Sequence, residues 1–105
     1  MSVKQQERVL TRHPADKQGV RMERAKYDQM RRGLLRVIPA RGDGVPFKEL
    51  TSLVTPHLTE TIFPPGAGVT WYVVAVKQDL EARGEIEIVP RSRPQRLRKT
   101  KGTHR

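Results

Sequence analysis

The last fifteen residues hold seven cations and no acid. Arg91, Arg93, Arg96, Arg98, Lys99, Lys101 and Arg105 give residues 91–105 a charge of +7. Residues 25–90 are neutral and residues 1–24 carry +3, so most of the net charge of +10 sits at one end. Guanidinium groups bind phosphate oxygens through paired N–H donors and can enter a narrow minor groove. A concentrated basic segment is therefore the electrostatic footprint of a polyanion. Charge on an edge strand also keeps it from pairing with other chains. Lys would serve that use equally well, and the predominance of Arg favours phosphate. Arg96 and Arg98 alternate around Leu97, so both are expected on the face away from the core, with Arg91 and Arg93 in a turn.

Other chemistry finds little support. His13, His57 and His104 are far apart and fit no metal-ligand spacing, and there is no Cys, so no disulfide, thiolate metal site or Cys nucleophile is expected. Asp79 with Glu81, and Glu85 with Glu87, are the close acidic pairs, but general acid–base work needs a cleft that shifts pKa values. Gly66-Ala67-Gly68 lacks the preceding strand of a dinucleotide site. Arg41-Gly42-Asp43 is read as an inter-helix turn rather than an adhesion tripeptide. No run approaches the roughly 18 apolar residues of a membrane span, and the polar N-terminus lacks a secretory h-region.

The positioning elements follow from hydrophobic spacing. Tyr27, Met30, Leu34, Val37 and Ile38 make one helical stripe over 24–38, which Pro39 ends. Phe47, Leu50, Val54 and Leu58 predict a second helix over 46–57, with Pro46 at its first position and Pro56 disturbing its last turn. Val69, Val73, Val76 and Leu80 predict a third over 69–83, capped by Gly84. The scarcity of large apolar groups places Trp71 in the core, with Thr70 and Tyr72 at the surface. From Glu85 the period becomes two: residues 85–89 and 95–99 predict strands around a Pro-rich turn, a β-hairpin that must pack on the helices.

Helix, helix, helix, strand, strand is the order of a winged helix-turn-helix. Particular residues point the same way. Lys26-Tyr27-Asp28-Gln29-Met30-Arg31-Arg32, Phe63-Pro64, Trp71-Tyr72-Val73, the segment from Val76 to Gly84, and Pro94-Gln95-Arg96-Leu97-Arg98 resemble a small uncharacterised bacterial winged-helix family over residues 12–99. Asp79 to Ile86 is also similar to the end of the third helix in many winged-helix transcriptional regulators, where a leucine packs inward and a glycine turns the chain into the wing. The resemblance implies a fold and a nucleic-acid role, and it carries over no catalytic residue. The chain departs from a strong DNA reader in one respect: Asp79 and Glu81 offset Lys77 and Arg83 on the third helix.

The fold expected is α+β, a three-helix winged helix-turn-helix domain with a C-terminal β-hairpin wing. Residues 1–22 are expected as a basic, partly disordered N-terminal arm, 23–99 as the winged-helix domain and 100–105 as a basic tail. The function expected is that of a cytoplasmic DNA-binding winged-helix protein, a candidate transcriptional regulator. Arg91, Arg93, Arg96, Arg98 and Lys99 would hold phosphates of double-stranded DNA, and Thr70, Tyr72, Lys77 and Gln78 would meet bases. The alternative is a winged-helix protein–protein interaction module without enzymatic activity, its partner a protein. Neither reading calls for a catalytic residue, metal, cofactor or membrane, and the chain is expected as a monomer or weak homodimer.

Overall fold

Apolar spacing becomes helix where expected. In the computed structural model, which describes residues 7–15 and 17–101, α1 runs Arg24–Val37 and buries Tyr27, Met30, Gly33 and Leu34. A later helix, α3, runs Val69–Ala82 and buries Val73, Val76 and Leu80 against α1. Its C-terminus closes as the glycine predicts: Gly84, at φ 76°, donates to the Glu81 carbonyl (3.0 Å) while Glu85 N–H reaches the Leu80 carbonyl (2.9 Å). These two bonds satisfy carbonyls that a helix end otherwise leaves unpaired.

The second helical segment is not continuous. A 3₁₀ turn at Phe47–Glu49 leads into α2 (Leu50–Val54), and a second 3₁₀ turn covers Thr55–His57. Pro46 lies before it in strand β3 (Val45–Pro46), and Pro56 cannot donate the bond that would carry α2 onward. Gly33 lets α1 approach this segment closely. A Cβ there would come within 2.6 Å of Val54 Cγ2, and Val54 is fully buried.

Two small antiparallel sheets complete the α+β architecture. The expected hairpin of β4 (Ile86–Ile88) and β5 (Arg96–Lys99) exists, but β5 is central in a three-stranded sheet of order β3-β5-β4. Leu97 pairs with Val45 on one side and Ile88 on the other, and is fully buried. Gly44, at φ 75°, brings the turn backbone so close to β5 that a Cβ would lie 2.3 Å from the Leu97 carbonyl oxygen.

The second sheet lies within the segment expected as an extended arm. Strand β1 (Arg8–Leu10) pairs with β2 (Arg21–Glu23), Val9 opposite Met22. Met22 is buried in the core, and the Arg24 amide at the start of α1 donates to the Glu7 carbonyl (3.0 Å), supplying the cap that Glu23 does not. The remaining expectations for residues 1–6 and 102–105 lie outside the described residues.

One carboxylate ties these parts together. Asp79 on α3 is fully buried, and accepts from the Tyr27 hydroxyl, the Arg12 amide (2.8 Å) and Arg83 Nε (2.9 Å). A buried charge is tolerated only when paired and hydrogen-bonded in this way. Nearer the sheet, Arg31 of α1 pairs with Glu85 ahead of β4, and this bond holds its guanidinium above the ordinary value. Burial first, then the bond to Asp79, push the Tyr27 phenol up from 10.0 to about 12.

Three outcomes follow. Gly33→Ala should lower the melting temperature, because crowding a stiff, buried Val54 costs about 1–3 kcal/mol against at most about 1 kcal/mol of helix propensity. Asp79→Ala strands three donors and should cost about 3–5 kcal/mol in chemical denaturation. A phenol that holds its proton more tightly when folded stabilises below the unfolded pKa and loses that stability as pH rises through the folded one. The stability advantage of the native chain over Tyr27→Phe should therefore shrink between pH 10 and about 12 in thermal melts.

Candidate nucleic-acid interface

The β4–β5 hairpin is built around Ser92. Its hydroxyl donates to the Val89 carbonyl (2.7 Å) and accepts from the Arg96 amide (3.0 Å), while its own amide reaches the same Val89 carbonyl (3.2 Å). The serine lies inward and half-buried, so its neighbours Arg91 and Arg93 stand exposed at the tip. Arg91 takes a left-handed conformation, φ 63°. Among the described residues neither arginine has a carboxylate partner.

Arg96 and Arg98 behave differently from the expectation that both stand free. Arg96 Nε and Nη2 donate to the carbonyls of Asp43 (2.9 Å) and Gly44 (3.1 Å), fastening the turn before β3 to β5. Arg98 Nε pairs with Glu87 Oε2 at 2.7 Å, directly across the strand pair. Both guanidinium groups are thus part of the sheet's own construction. Lys99 remains available: its backbone N–H holds the Pro39 carbonyl (2.8 Å), and its side chain lines a cleft.

That cleft, of about 470 Å³, lies between the turn after α1 and the sheet. Ala40, Arg41, Glu87, Arg98, Lys99 and Lys101 line it. The Lys99–Pro39 bond brings Arg41 to the basic strand. Sequence reasoning missed Arg41 because it belongs to another loop, more than fifty residues away along the chain. Lys101 was counted in the tail charge but not as a contact. Among the described residues Arg41, Arg91, Arg93, Lys99 and Lys101 then form a set of cations around the sheet without a carboxylate partner. Arg24, Lys26, Arg31, Lys77 and Arg83 of the helical body are each paired with a carboxylate.

The outward face of α3 is uncharged over most of its length. Thr70 is exposed and Gln78 half-exposed, as expected of contact residues, with Val74 between them. Lys77 is not on that face. It is 8% exposed, pairs with Glu81, and lies 4.9 Å above the Phe47 ring, so it is withdrawn from solvent. The two aromatics exchange places relative to expectation. Tyr72 is half-buried, edge-on to Phe63 with ring centroids 5.3 Å apart. Trp71 is 51% exposed and packs edge-on against Tyr72 at 4.9 Å. The core between α1 and α3 is built instead from Met30, Leu34, Val73, Val76 and Leu80.

Among the described residues no group of three His, Asp or Glu side chains could hold a metal ion. No helix there is long and apolar enough to cross a membrane.

With the geometry described, comparison with known proteins adds one assignment. Residues 8–97 match DUF6958, a family of unknown function. The chain belongs to that family. The DUF6958 match begins in β1 and ends at Leu97, so it spans both sheets and the three helices, with Lys99 and Lys101 just beyond it. No curated protein and no solved structure matches the chain.

The division between structural and free arginines is testable. Arg96→Ala removes two bonds to carbonyls and should cost about 1–3 kcal/mol, several degrees in a melt. Arg93→Ala, at an exposed tip with no protein partner, should stay within about 0.5 kcal/mol of the native chain.

Proposed function

We propose that this chain is a DNA-binding winged-helix protein, a candidate transcriptional regulator of the cytoplasm, that holds double-stranded DNA chiefly through its phosphates. In this reading α1, the broken second segment and α3 form the helix-turn-helix body. The β4–β5 hairpin is the wing, with β3 completing its sheet as an additional strand. The observation that carries the reading is the sorting of charge. Arg24, Lys26, Arg31, Lys77 and Arg83 of the helical body are paired with carboxylates, with Arg32, Arg36 and Lys48 the exceptions there, whereas Arg41, Arg91, Arg93, Lys99 and Lys101 cluster around the sheet with none among the described residues.

The roles differ by element. Arg91 and Arg93 at the tip reach phosphates or the adjacent minor groove, and the Arg41–Lys99–Lys101 cleft takes the neighbouring backbone. Thr70 and Gln78 on the uncharged face of α3 supply what base contact there is, with Trp71 beside them. Tyr72 and Lys77 leave the contact set because packing occupies them, and so do Arg96 and Arg98. Affinity from phosphates with few base contacts means weak discrimination between sequences.

One observation favours a second reading, a winged-helix protein–protein interaction module. Trp71 stands exposed beside Val74 on an uncharged helix face, and exposed tryptophans are frequent anchors of protein interfaces.

Trp71 is the chain's single tryptophan and separates the two readings. On titration with random duplex DNA its emission should change, and the triple variant Arg91→Ala, Arg93→Ala, Lys99→Ala should bind roughly tenfold or more weakly at low salt. Equal affinity of variant and native chain would remove the wing from the account. A nuclease-resistant stoichiometric protein partner that is lost on Trp71→Ala would establish the second reading instead.

A further inference from the structure

A second basic cleft lies away from the wing, where α1 meets the end of the broken second segment. Gln29, Arg32, Gly33, Arg36 and His57 line it, with no carboxylate among them. Its volume is about 150 Å³, below the roughly 300–1,000 Å³ of pockets that enclose whole drug-sized ligands. Gly33 makes up part of the wall, and its close approach to Val54 holds α1 against the second segment. The 3₁₀ turn that ends at His57 is closed by the Leu58 amide on the Thr55 carbonyl (3.0 Å). Gln29 is fixed by Thr59, whose amide donates to Gln29 Oε1 at 2.8 Å. The walls are therefore set by backbone and packing rather than by a ligand.

The charge arrangement needs explanation. Arg32 and Arg36 are one helical turn apart on the same face, a like-charge pair that destabilises a helix by a few tenths of a kcal/mol. Elsewhere on α1, Arg24 faces Asp28 and Arg31 faces Glu85. Among the described residues Arg32, Arg36 and His57 have no such partner. Arg36 gains something from the C-terminal end of the helix dipole, but Arg32, a turn earlier, does not. Two planar guanidinium groups, an imidazole N–H and an amide around a small cleft form a donor set for tetrahedral oxyanions.

We propose that the Arg32–Arg36–His57 cleft is a phosphoryl-binding site separate from the wing, whose phosphate binding does not require the wing to contact DNA. It takes the non-bridging oxygens of one phosphate group, borne on a small phosphorylated molecule or on a nucleic-acid backbone. The size of the cleft leaves the rest of such a ligand outside.

The test is a ¹H–¹⁵N NMR titration of the full chain with inorganic phosphate, ionic strength held constant with chloride. The expected result is saturable shifts, half-complete in the low-millimolar range, confined to the amides around residues 29–36 and 55–59. They should vanish in Arg32→Gln/Arg36→Gln and persist in Arg91→Ala/Arg93→Ala. The glutamines are good helix formers at exposed positions, so the variant keeps its fold, which its own spectrum verifies. Arg32→Lys/Arg36→Lys keeps the charge but loses the planar fork, and should bind several-fold more weakly than the native chain. Linear shifts without saturation, shifts unchanged in the glutamine variant, or shifts largest at the wing would each overturn the proposal. Once saturable binding is seen, duplex DNA names the source. Weaker duplex binding by the glutamine variant assigns the phosphoryl group to the nucleic-acid backbone, and unchanged binding assigns it to a small phosphorylated ligand.

Discussion

The buried Asp79 carboxylate is the constraint on which the other contacts depend. A charge with no solvent around it is stable only while every donor stays in place, so three separate parts of the chain must meet at one point. Tyr27 comes from α1, the Arg12 amide from the strand connection at the N-terminal end, and Arg83 from the last turn of α3. This junction fixes α1 against α3 near one end and seats the β1–β2 hairpin on both. The aliphatic contacts of Met30, Leu34, Val73 and Val76 then extend the same interface, and α2 closes it from the side.

The three-stranded sheet is held by a different set of bonds. Arg96 ties β5 to the turn before β3, the Phe47 amide takes the Gln95 carbonyl (2.9 Å), and the Lys99 amide takes that of Pro39 (2.8 Å). Building the sheet this way consumes two arginines, and it sets the remaining cations outward. Basic character at this end is thus partly structural and partly unassigned to any contact within the chain. Counting charges along the sequence cannot separate the two, and a hydrogen-bond partner for each guanidinium can.

Where the sequence was legible, a period ran long enough to be read. The stripes from Tyr27 to Ile38 and from Val69 to Leu80 each cover about three turns and located α1 and α3 to within a residue or two. Gly84 was legible because a left-handed cap has few alternatives. Strands of two or three residues such as β3, β1 and β2 hold no period and exist only through their partners. Phe47, Leu50, Val54 and Leu58 kept helical spacing across a segment that prolines at both ends divide. Lys77 was misplaced because a long aliphatic stem can lie under an aromatic ring while a polarity pattern counts it as surface. Trp71 was misplaced because scarcity of large apolar residues does not decide which of them build the core, and Met30, Leu34, Val73, Val76 and Leu80 build it between α1 and α3. Arg96 finds its acceptors at Asp43 and Gly44, a separation no local pattern reports. Arg41 stood out of reach for the same reason.

The central claim is that a defined group of cations around the sheet meets nucleic-acid phosphates. The most direct measurement is the affinity for random duplex DNA as a function of salt. Five phosphate contacts, from Arg41, Arg91, Arg93, Lys99 and Lys101, predict that log K falls against log salt with a slope of about −4 to −5. A slope near zero, or no binding at about 50 mM salt, where attraction between exposed charges is still strong, would contradict the account.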